Sequence, residues 1–352
     1  MTLEEIRKRI DRLDVEVVHR LRLRSELALL SCRFKDRVID EEREKEVLRN
    51  VERTNRKLLD SSFIRTLFEQ IIKECRRVQS EGHLLAGFQG EHGAFSEQAL
   101  AVFNPKLIPF PCPEFMDVFE GVQRGLFDFG IIPVENSLQG SLHEVTEILI
   151  ETELKIVGEV VLPIHHCLLT VPDVGYRDIR VVYSHPQALA QCRAFLQRHG
   201  FELKPFYDTA GAARWLAAER LPGAAVIAGE TAAEIYGLEI IKSHIEDDSE
   251  NCTRFVVLSA RDVETGGDKC SIAFTTPHRA GALAGVLSLF AQAGINLTRV
   301  ESKPVRGRPK QWAFLLDFQG DSADPKVIKV LDQVREKASS FKLLGCYPEA
   351  KS

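Results

Sequence analysis

The chain has 352 residues, 44% of them hydrophobic and 28% charged, the profile of an ordinary soluble protein of two or three domains. A net charge of −5 argues against a nucleic-acid partner, which needs a basic face. No apolar run approaches the roughly 20 residues that span a bilayer, so no membrane partner is expected. The opening Met1-Thr-Leu-Glu-Glu-Ile6 shows no signal peptide, and eight cysteines fall singly without C-x-x-C spacing. Reduced thiols in a cytoplasmic protein are the expectation. The histidines show no metal-ligand spacing, and His165-His166-Cys167 sits in an apolar strand-like stretch where satisfied core histidines are expected.

Residues 1–80 read as all helix. No Gly or Pro interrupts Leu3 to about Phe34, and Leu3, Ile6, Ile10, Leu13, Val17, Leu21 and Leu27 recur at helical spacing. Arg24 falls inside that apolar stripe and Arg7 borders it. A buried guanidinium is costly unless an anion pairs with it, so two such positions suggest a site for a small molecule carrying carboxylates. A loop near Asp36–Arg37 leads to a second helix from about Asp40 to Leu59 and a third from Ser62 to Gln79, with Asp60 to Ser62 as N-cap candidates. At ~1.5 Å per residue the first helix is about 50 Å long, more than two shorter partners can cover, so a helical dimer is expected. Glu44 lies one turn after Asp40 and shares a face with Val47, Leu48 and Val51. On the third helix the stripe Ile64, Phe68, Ile71, Ile72, Cys75 is followed one turn on by Gln79. Singly, Asp40, Arg43 and Glu44 read as a solvated ion-pair cluster. Arg7, Arg24 and Lys35 together with Glu44 and Gln79 are harder to read that way.

This pattern, with Val-Ile-Asp-Glu-Glu-Arg-Glu at 38–44, resembles the all-helical, intertwined dimeric chorismate mutase family over residues 3–79. The resemblance implies that Arg7 (from the partner chain) and Arg24 clamp the substrate carboxylates. Lys35 and Gln79 then bond the ether oxygen, and Asp40, Arg43 and Glu44 shape the pocket. Cys75 stands where the family often has Ser, and a thiol is the weaker donor. The implied chemistry is a pericyclic rearrangement of chorismate to prephenate without nucleophile or cofactor. It needs only a held near-attack conformer and charge stabilisation on the ether oxygen.

After Ser80-Glu-Gly-His83 the texture becomes α/β over about 180 residues, enough for two lobes and a cleft. Strands are expected at Leu84–Phe88, Gly130–Val134, Ile179–Tyr183, Ala224–Ala228, Leu238–Lys242 and Arg254–Leu258, with a helix stopped by Gly237. Three local signals stand out. Ile132-Pro-Val-Glu-Asn-Ser137 ends a strand, and Ser141-x-x-Glu144 reads as a capping box. Tyr183-Ser-His-Pro-Gln187 opens a helix at Pro186, with Gln187 and Gln191 one turn apart beside Leu189, Cys192 and Leu196. Asn251-Cys-Thr-Arg-Phe255 enters a strand. Singly each is weak: a Gln pair is usually solvated, Ser96 and Thr209 read as N-caps, and Thr253 as a strand start.

In order, G-x-x-G-A-F-S from Gly90, P-V-E-N-S from Pro133, Y-S-H-P-Q from Tyr183 and T-R-F from Thr253 resemble prephenate dehydratase. The resemblance implies a fold similar to periplasmic binding proteins, with the site in the cleft between lobes. It implies Asn136, Gln191 and Thr253 as the catalytic trio, with Glu135, Ser137, Gln187, Ser96 and Thr209 lining the pocket. A threonine is too weak an acid for easy proton donation at neutral pH, so Thr253 is expected to donate a hydrogen bond or relay a proton to the departing hydroxyl.

Asp262 to Asp268 reads as a linker. Strand Cys270–Thr275, helix Gly281–Ala293, strand Ile295–Lys303, a basic turn at 306–310, strand Trp312–Gln319, helix Pro325–Ala338 and strand Leu343–Tyr347 give the order βαββαβ, a ferredoxin-like module. The loop Thr276 to Leu283 reads equally as a plain helix cap and as an anion receptor. With Glu301-Ser-Lys-Pro304 it resembles the ACT regulatory domain. That implies phenylalanine bound between paired domains by Gly281, Ala282, Leu283, Asn296, Leu297, Glu301, Ser302, Lys303 and Pro304, where Lys303 replaces the usual Arg.

The layout, 1–80 mutase, 84–262 dehydratase and 269–350 ACT, resembles the bifunctional chorismate mutase/prephenate dehydratase family. Its implied ligands are chorismate, prephenate and phenylalanine, its partner a second copy of the chain, and its cofactor and metal content none. A dehydratase accepting arogenate and a non-catalytic ligand sensor are the alternatives.

Overall fold

The computed structural model describes residues 2–35, 39–54, 58–172, 174–261, 266–305 and 311–350. The expected loop at Asp36–Arg37, the basic turn at 306–310 and residues 262–265 of the expected linker lie outside the described residues.

In the N-terminal unit, helix α1 spans Leu3–Ser31 and continues as a short 3₁₀ turn, Cys32–Phe34. Helices α2 (Glu41–Thr54) and α3 (Ser61–Ser80) follow. The Asp60 carboxylate caps α3, accepting the Ser62 N–H at 3.0 Å. α2 stops short of the expected Leu59, and Leu58 and Leu59 lie in a bend. Within one chain the apolar stripe of α1 is bare: Leu3, Ile10, Leu13 and Val17 are exposed. Leu27, expected on the buried face, is 66% exposed, whereas Glu26 and Leu29 are buried. The stripe repeats at close to 3.5 residues, so on a straight helix of about 3.6 it drifts off one face. α1 meets α3 instead through Arg24, Ser25 and Ala28.

The second unit opens with β1 (Leu85–Gln89), α4 (Phe95–Phe103), β2 (Ile108–Cys112) and α5 (Phe115–Gln123). It continues with β3 (Phe129–Asn136), β4 (Gly140–Ser141), α6 (His143–Glu151) and β5 (Lys155–Pro163). The chain then crosses into a second lobe made of β6 (Cys167–Thr170), β7 (Val181–Ser184), α7 (Pro186–Gln191) and α8 (Arg193–His199). β8 (Glu202–Pro205), α9 (Thr209–Glu219), β9 (Ala224–Ala228), α10 (Glu230–Tyr236) and β10 (Glu239–Lys242) complete that lobe, and β11 (Cys252–Ser259) returns to the first. The first sheet runs β1-β3-β11-β5 with β4 paired to β3; the second runs β10-β6-β9-β7-β8. β11 is antiparallel to both β3 and β5, and its register sets Thr253 opposite Asn136. The two strand tips that carry these side chains are therefore locked together by ladder hydrogen bonds.

Two expectations are corrected here. Ser141 does not cap α6, whose N-cap is Leu142 without a side-chain bond; the Ser141 hydroxyl donates to Glu301 instead. A nearby β-ladder holds Ser141 in β4, so its backbone cannot take the cap position. The cysteines are not all reduced: Cys270 and Cys346 form a disulfide. They face each other in an antiparallel pair with Cα atoms 4.1 Å apart, a proximity that a separation of 76 residues hides in the sequence.

The C-terminal module comprises β12 (Lys269–Thr275), α11 (Ala282–Ala293), β13 (Leu297–Pro304), β14 (Trp312–Gln319), α12 (Pro325–Lys337) and β15 (Ser340–Tyr347). Its antiparallel sheet, β13-β14-β12-β15, packs Phe274, Phe290, Phe318 and Val334 into one core, as the ferredoxin-like order predicts. The module docks on the first lobe through buried charge. Arg254 of β11 donates to Glu159 at 2.6 Å, to Asp317 at 2.7 Å and to the Tyr347 hydroxyl at 3.1 Å. Lys269 adds a 3.0 Å bond to Glu159. β15 approaches β5 so closely that a Cβ on Gly345 would lie 2.0 Å from the Ile156 carbonyl oxygen.

Candidate active site

The helical unit brings together only part of its expected set. Arg24 is half-buried and directs Nη1 at Cys75 Sγ, 2.9 Å away, with Cys75 buried on α3. One turn on, Gln79 donates from Nε2 to the Ala28 carbonyl at 2.6 Å. Glu44 is held by a residue sequence reasoning missed: Arg76 donates from Nε at 2.6 Å and from Nη2 to the second carboxylate oxygen. The signal was available, since Arg76 lies four after Ile72 and three before Gln79 on the same face. Asp40 instead accepts the Arg43 N–H at 3.0 Å at the start of α2, and Arg43 pairs with Glu46 at 2.5 Å. Arg7 and Lys35 are exposed in the single chain, outside the Arg24–Cys75–Gln79 group.

The α/β unit holds a cavity of about 390 Å³ whose walls come from both lobes. Asn136, Thr253, Gln187, Gln191, Ser96 and Thr209 all line it. Asn136 and Thr253 are nearly fully buried. The Asn136 Oδ1 accepts the Leu138 N–H at 3.1 Å, which fixes the amide so that Nδ2 points at Thr253 Oγ1, 3.0 Å away, and at Asn251 Oδ1, 2.8 Å away. Thr253 Oγ1 accepts this bond, leaving its own proton free to turn to a ligand. On the opposite lobe Gln191 faces the cavity with Nε2 unpartnered. Its Oε1 lies 2.9 Å from His166 Nε2.

His166 corrects another expectation. It is buried, but not a satisfied core histidine: it lines the cavity, and its Nδ1 has no partner. Burial holds its pKa below the ordinary histidine value, despite the opposing hydrogen bond to Gln191 and the charge of Glu246. With Nε2 donating to Gln191, the neutral ring leaves the amide nitrogen of Gln191 as a donor to the ligand.

Glu135 and Ser137 do not line this cavity. Glu135 precedes the inward Asn136 on β3 and so points to the opposite face, whereas Ser137 lies in the turn after the strand. Ser137 instead stitches the strand tips, its Oγ accepting the Cys252 N–H at 3.0 Å.

Among the described residues, no lysine or arginine lines the cavity. Positive potential comes from backbone instead: Ser96 and Thr209 sit in the first turns of α4 and α9, whose N-termini open onto the cavity. Asp208 caps α9, accepting the Gly211 N–H at 2.6 Å, and burial pushes its carboxyl above the usual range, so it opposes an anion less than a free aspartate. Burial and Asp117 push the Cys112 thiol up to about 12.

In the C-terminal module a cavity of about 200 Å³ is lined by Gly281, Ala282, Leu283, Thr276, Trp312 and Phe314, among others. The other expected residues do not join it in the single chain. Glu301 accepts from Ser141, Lys303 lies 3.6 Å from Glu147 of α6, and Asn296 donates to Gln319 at 3.1 Å. Alternation along β13 explains this, since Arg299, Glu301 and Lys303 share the face turned to the first lobe of the α/β unit. Arg299, also missed from sequence, donates to Thr146 at 3.1 Å. Leu297 packs on the module core, and Ser302 and Pro304 lie on the same strand.

Comparison with known proteins follows the same three parts. Residues 6–80 match the family model of chorismate mutase type II, residues 86–263 that of prephenate dehydratase, and residues 271–336 that of the ACT domain. A bifunctional chorismate mutase/prephenate dehydratase of Neisseria gonorrhoeae is 36% identical over 359 residues, covering 99% of both chains. A chloroplastic arogenate dehydratase/prephenate dehydratase of Arabidopsis thaliana is 40% identical over 283 residues, 77% of this chain and 74% of its own. Among solved structures, a prephenate dehydratase from Arthrobacter aurescens in complex with L-Phe superposes with a TM-score of 0.71 at 30% identity, covering 76% of this chain and 90% of its own. With all three parts matched in order and whole-chain relatives carrying both activities, the chain belongs to the bifunctional chorismate mutase/prephenate dehydratase family.

Proposed function

We propose a division of labour in which Asn136, Thr253 and Gln191 perform the dehydration and Arg24 anchors the rearrangement. The observation that carries the first half is the Asn136–Thr253 bond facing Gln191 across one cavity. Prephenate seats its carboxylates near the N-termini of α4 and α9 and the free Gln191 donor. The bond from ring carbon to the carboxylate breaks, its electron pair enters the ring, and the opposite carbon–oxygen bond breaks. Carbon dioxide and hydroxide leave, and hydroxide becomes water with a proton. Thr253, its oxygen held by Asn136, turns its O–H to the departing oxygen; the proton reaches the hydroxide through it or from solvent. The product is phenylpyruvate.

In the helical unit chorismate rearranges without proton transfer: the ether carbon–oxygen bond breaks as a carbon–carbon bond forms. Arg24 binds a carboxylate, Lys35 and Gln79 donate to the ether oxygen, and Arg7 of a second copy completes the clamp. The exposed stripe of Leu3, Ile10, Leu13 and Val17 supports a homodimer. Phenylalanine binds at the Gly281–Leu283 turn between paired modules and acts through Glu301, because its partner Ser141 also lines the dehydratase cavity. The setting is the cytoplasm; among the described residues, no helix is long and apolar enough to cross a membrane.

Steady-state dehydration of prephenate tests the assignment. Asn136→Ala lowers kcat, Gln191→Ala raises KM most, and wild-type activity falls on adding phenylalanine. Unchanged kinetics in both variants would refute the assignment.

A further inference from the structure

One cluster of donor atoms takes no part in this chemistry. His165 lies between β5 and β6, and His244 and Glu246 lie between β10 and β11, on the two connections that link the lobes. His165 Nδ1 is 2.8 Å from Glu246 Oε1, His244 Nδ1 is 3.4 Å from the same oxygen, and the two Nδ1 atoms are 3.2 Å apart. A tetrahedral zinc ion with bonds of about 2.0–2.1 Å separates its ligand atoms by roughly 3.3 Å. The three atoms thus form one face of such a tetrahedron. We propose that His165, His244 and Glu246 bind a divalent transition-metal ion of the zinc class, with the fourth position open to water.

Further features fit a ligand set better than a chance surface cluster. The Glu246 side chain is 1% exposed, yet the two rings beside it are 43% and 66% exposed, so the carboxylate is fixed and the ion has an entry path. Its other oxygen accepts the His166 N–H at 2.9 Å, an outer bond that orients the ligand. His244 holds φ of 54°, a left-handed conformation that side chains other than glycine rarely adopt. Two nitrogens and one carboxylate favour zinc-class ions over magnesium or calcium, which take oxygen ligands. Because Glu246 also holds the His166 backbone, the ion braces the cleft wall that carries His166 and Gln191. The 79-residue separation of the two histidines explains why no ligand spacing is visible in the sequence.

Calorimetric titration of chelator-treated full-length protein with zinc chloride tests this, with His244→Gly as the variant because glycine adopts the same φ freely. Wild type should bind one ion per chain and unfold at a higher temperature with zinc. His244→Gly should fold, lose about 100-fold or more in affinity and lose the thermal shift. Equal binding by both proteins, as expected if free thiols capture the ion, or no binding by wild type, overturns the proposal.

Discussion

Asn136 Nδ2 donates to Thr253 Oγ1 at 3.0 Å, and the bond occupies one lone pair of the hydroxyl while leaving its proton available to a ligand. A side chain that only filled space would tolerate truncation. Thr253→Ala should lower dehydration of prephenate by about 10²–10⁴-fold while mutase turnover stays within twofold or so of wild type. Thr253→Ser, which keeps the hydroxyl, should recover a measurable part of the rate.

Burial lowers the His166 pKa, so the unfolded chain binds more protons than the folded one just below the ordinary histidine value. The contribution of a neutral buried His166 is therefore fully present above that value and is lost as pH falls through the folded pKa. Urea titrations at pH 7 and pH 5 should show wild type losing more stability than His166→Gln over this interval. An equal loss would mean that His166 is already solvated.

Arg254 neutralises Glu159 and Asp317, whose side chains are 1% and 2% exposed. Burial alone would lower its pKa, but Asp317, Tyr347 and Glu159 outweigh it and hold the guanidinium charged. Arg254→Ala strands the buried Asp317 and leaves Glu159 only Lys269, and should cost about 3–5 kcal/mol in unfolding free energy. Arg254→Met together with Asp317→Leu, which leaves Glu159 its bond to Lys269, should recover part of the loss.

Gly93 carries φ of +87°, and a Cβ there would lie 2.7 Å from Ala232 Cα of α10. Gly93→Ala should force the Gly90–Ser96 loop away from α10. Its signature is a raised KM for prephenate and lower stability, measured side by side with an unchanged mutase rate.

Much of this was legible in the sequence, for identifiable reasons. Asn136, Gln187, Gln191 and Thr253 stood out because each ends or begins an element whose apolar pattern is clear, and such ends converge in α/β folds. Glu135 and Ser137 came with the family motif around Asn136, but Glu135 sits on the other face of β3 and Ser137 in the turn beyond it. His166, Arg76 and Arg299 escaped because each depends on a partner remote in sequence: Gln191, Glu44 and Thr146. Strand β2 carries two prolines and β8 is wholly exposed, so neither shows the apolar alternation that marks a strand. The disulfide and the His165–His244 contact likewise join positions only tertiary structure brings together.

The central claim is that one chain holds two separable active sites, one at Arg24 and one at Thr253. Product analysis of chorismate incubated with wild type, Arg24→Ala and Thr253→Ala tests it most directly. Wild type should yield phenylpyruvate, Thr253→Ala should stop at prephenate, and Arg24→Ala should leave chorismate unchanged yet convert added prephenate. Phenylpyruvate from Thr253→Ala, or loss of both reactions in either variant, would contradict the account.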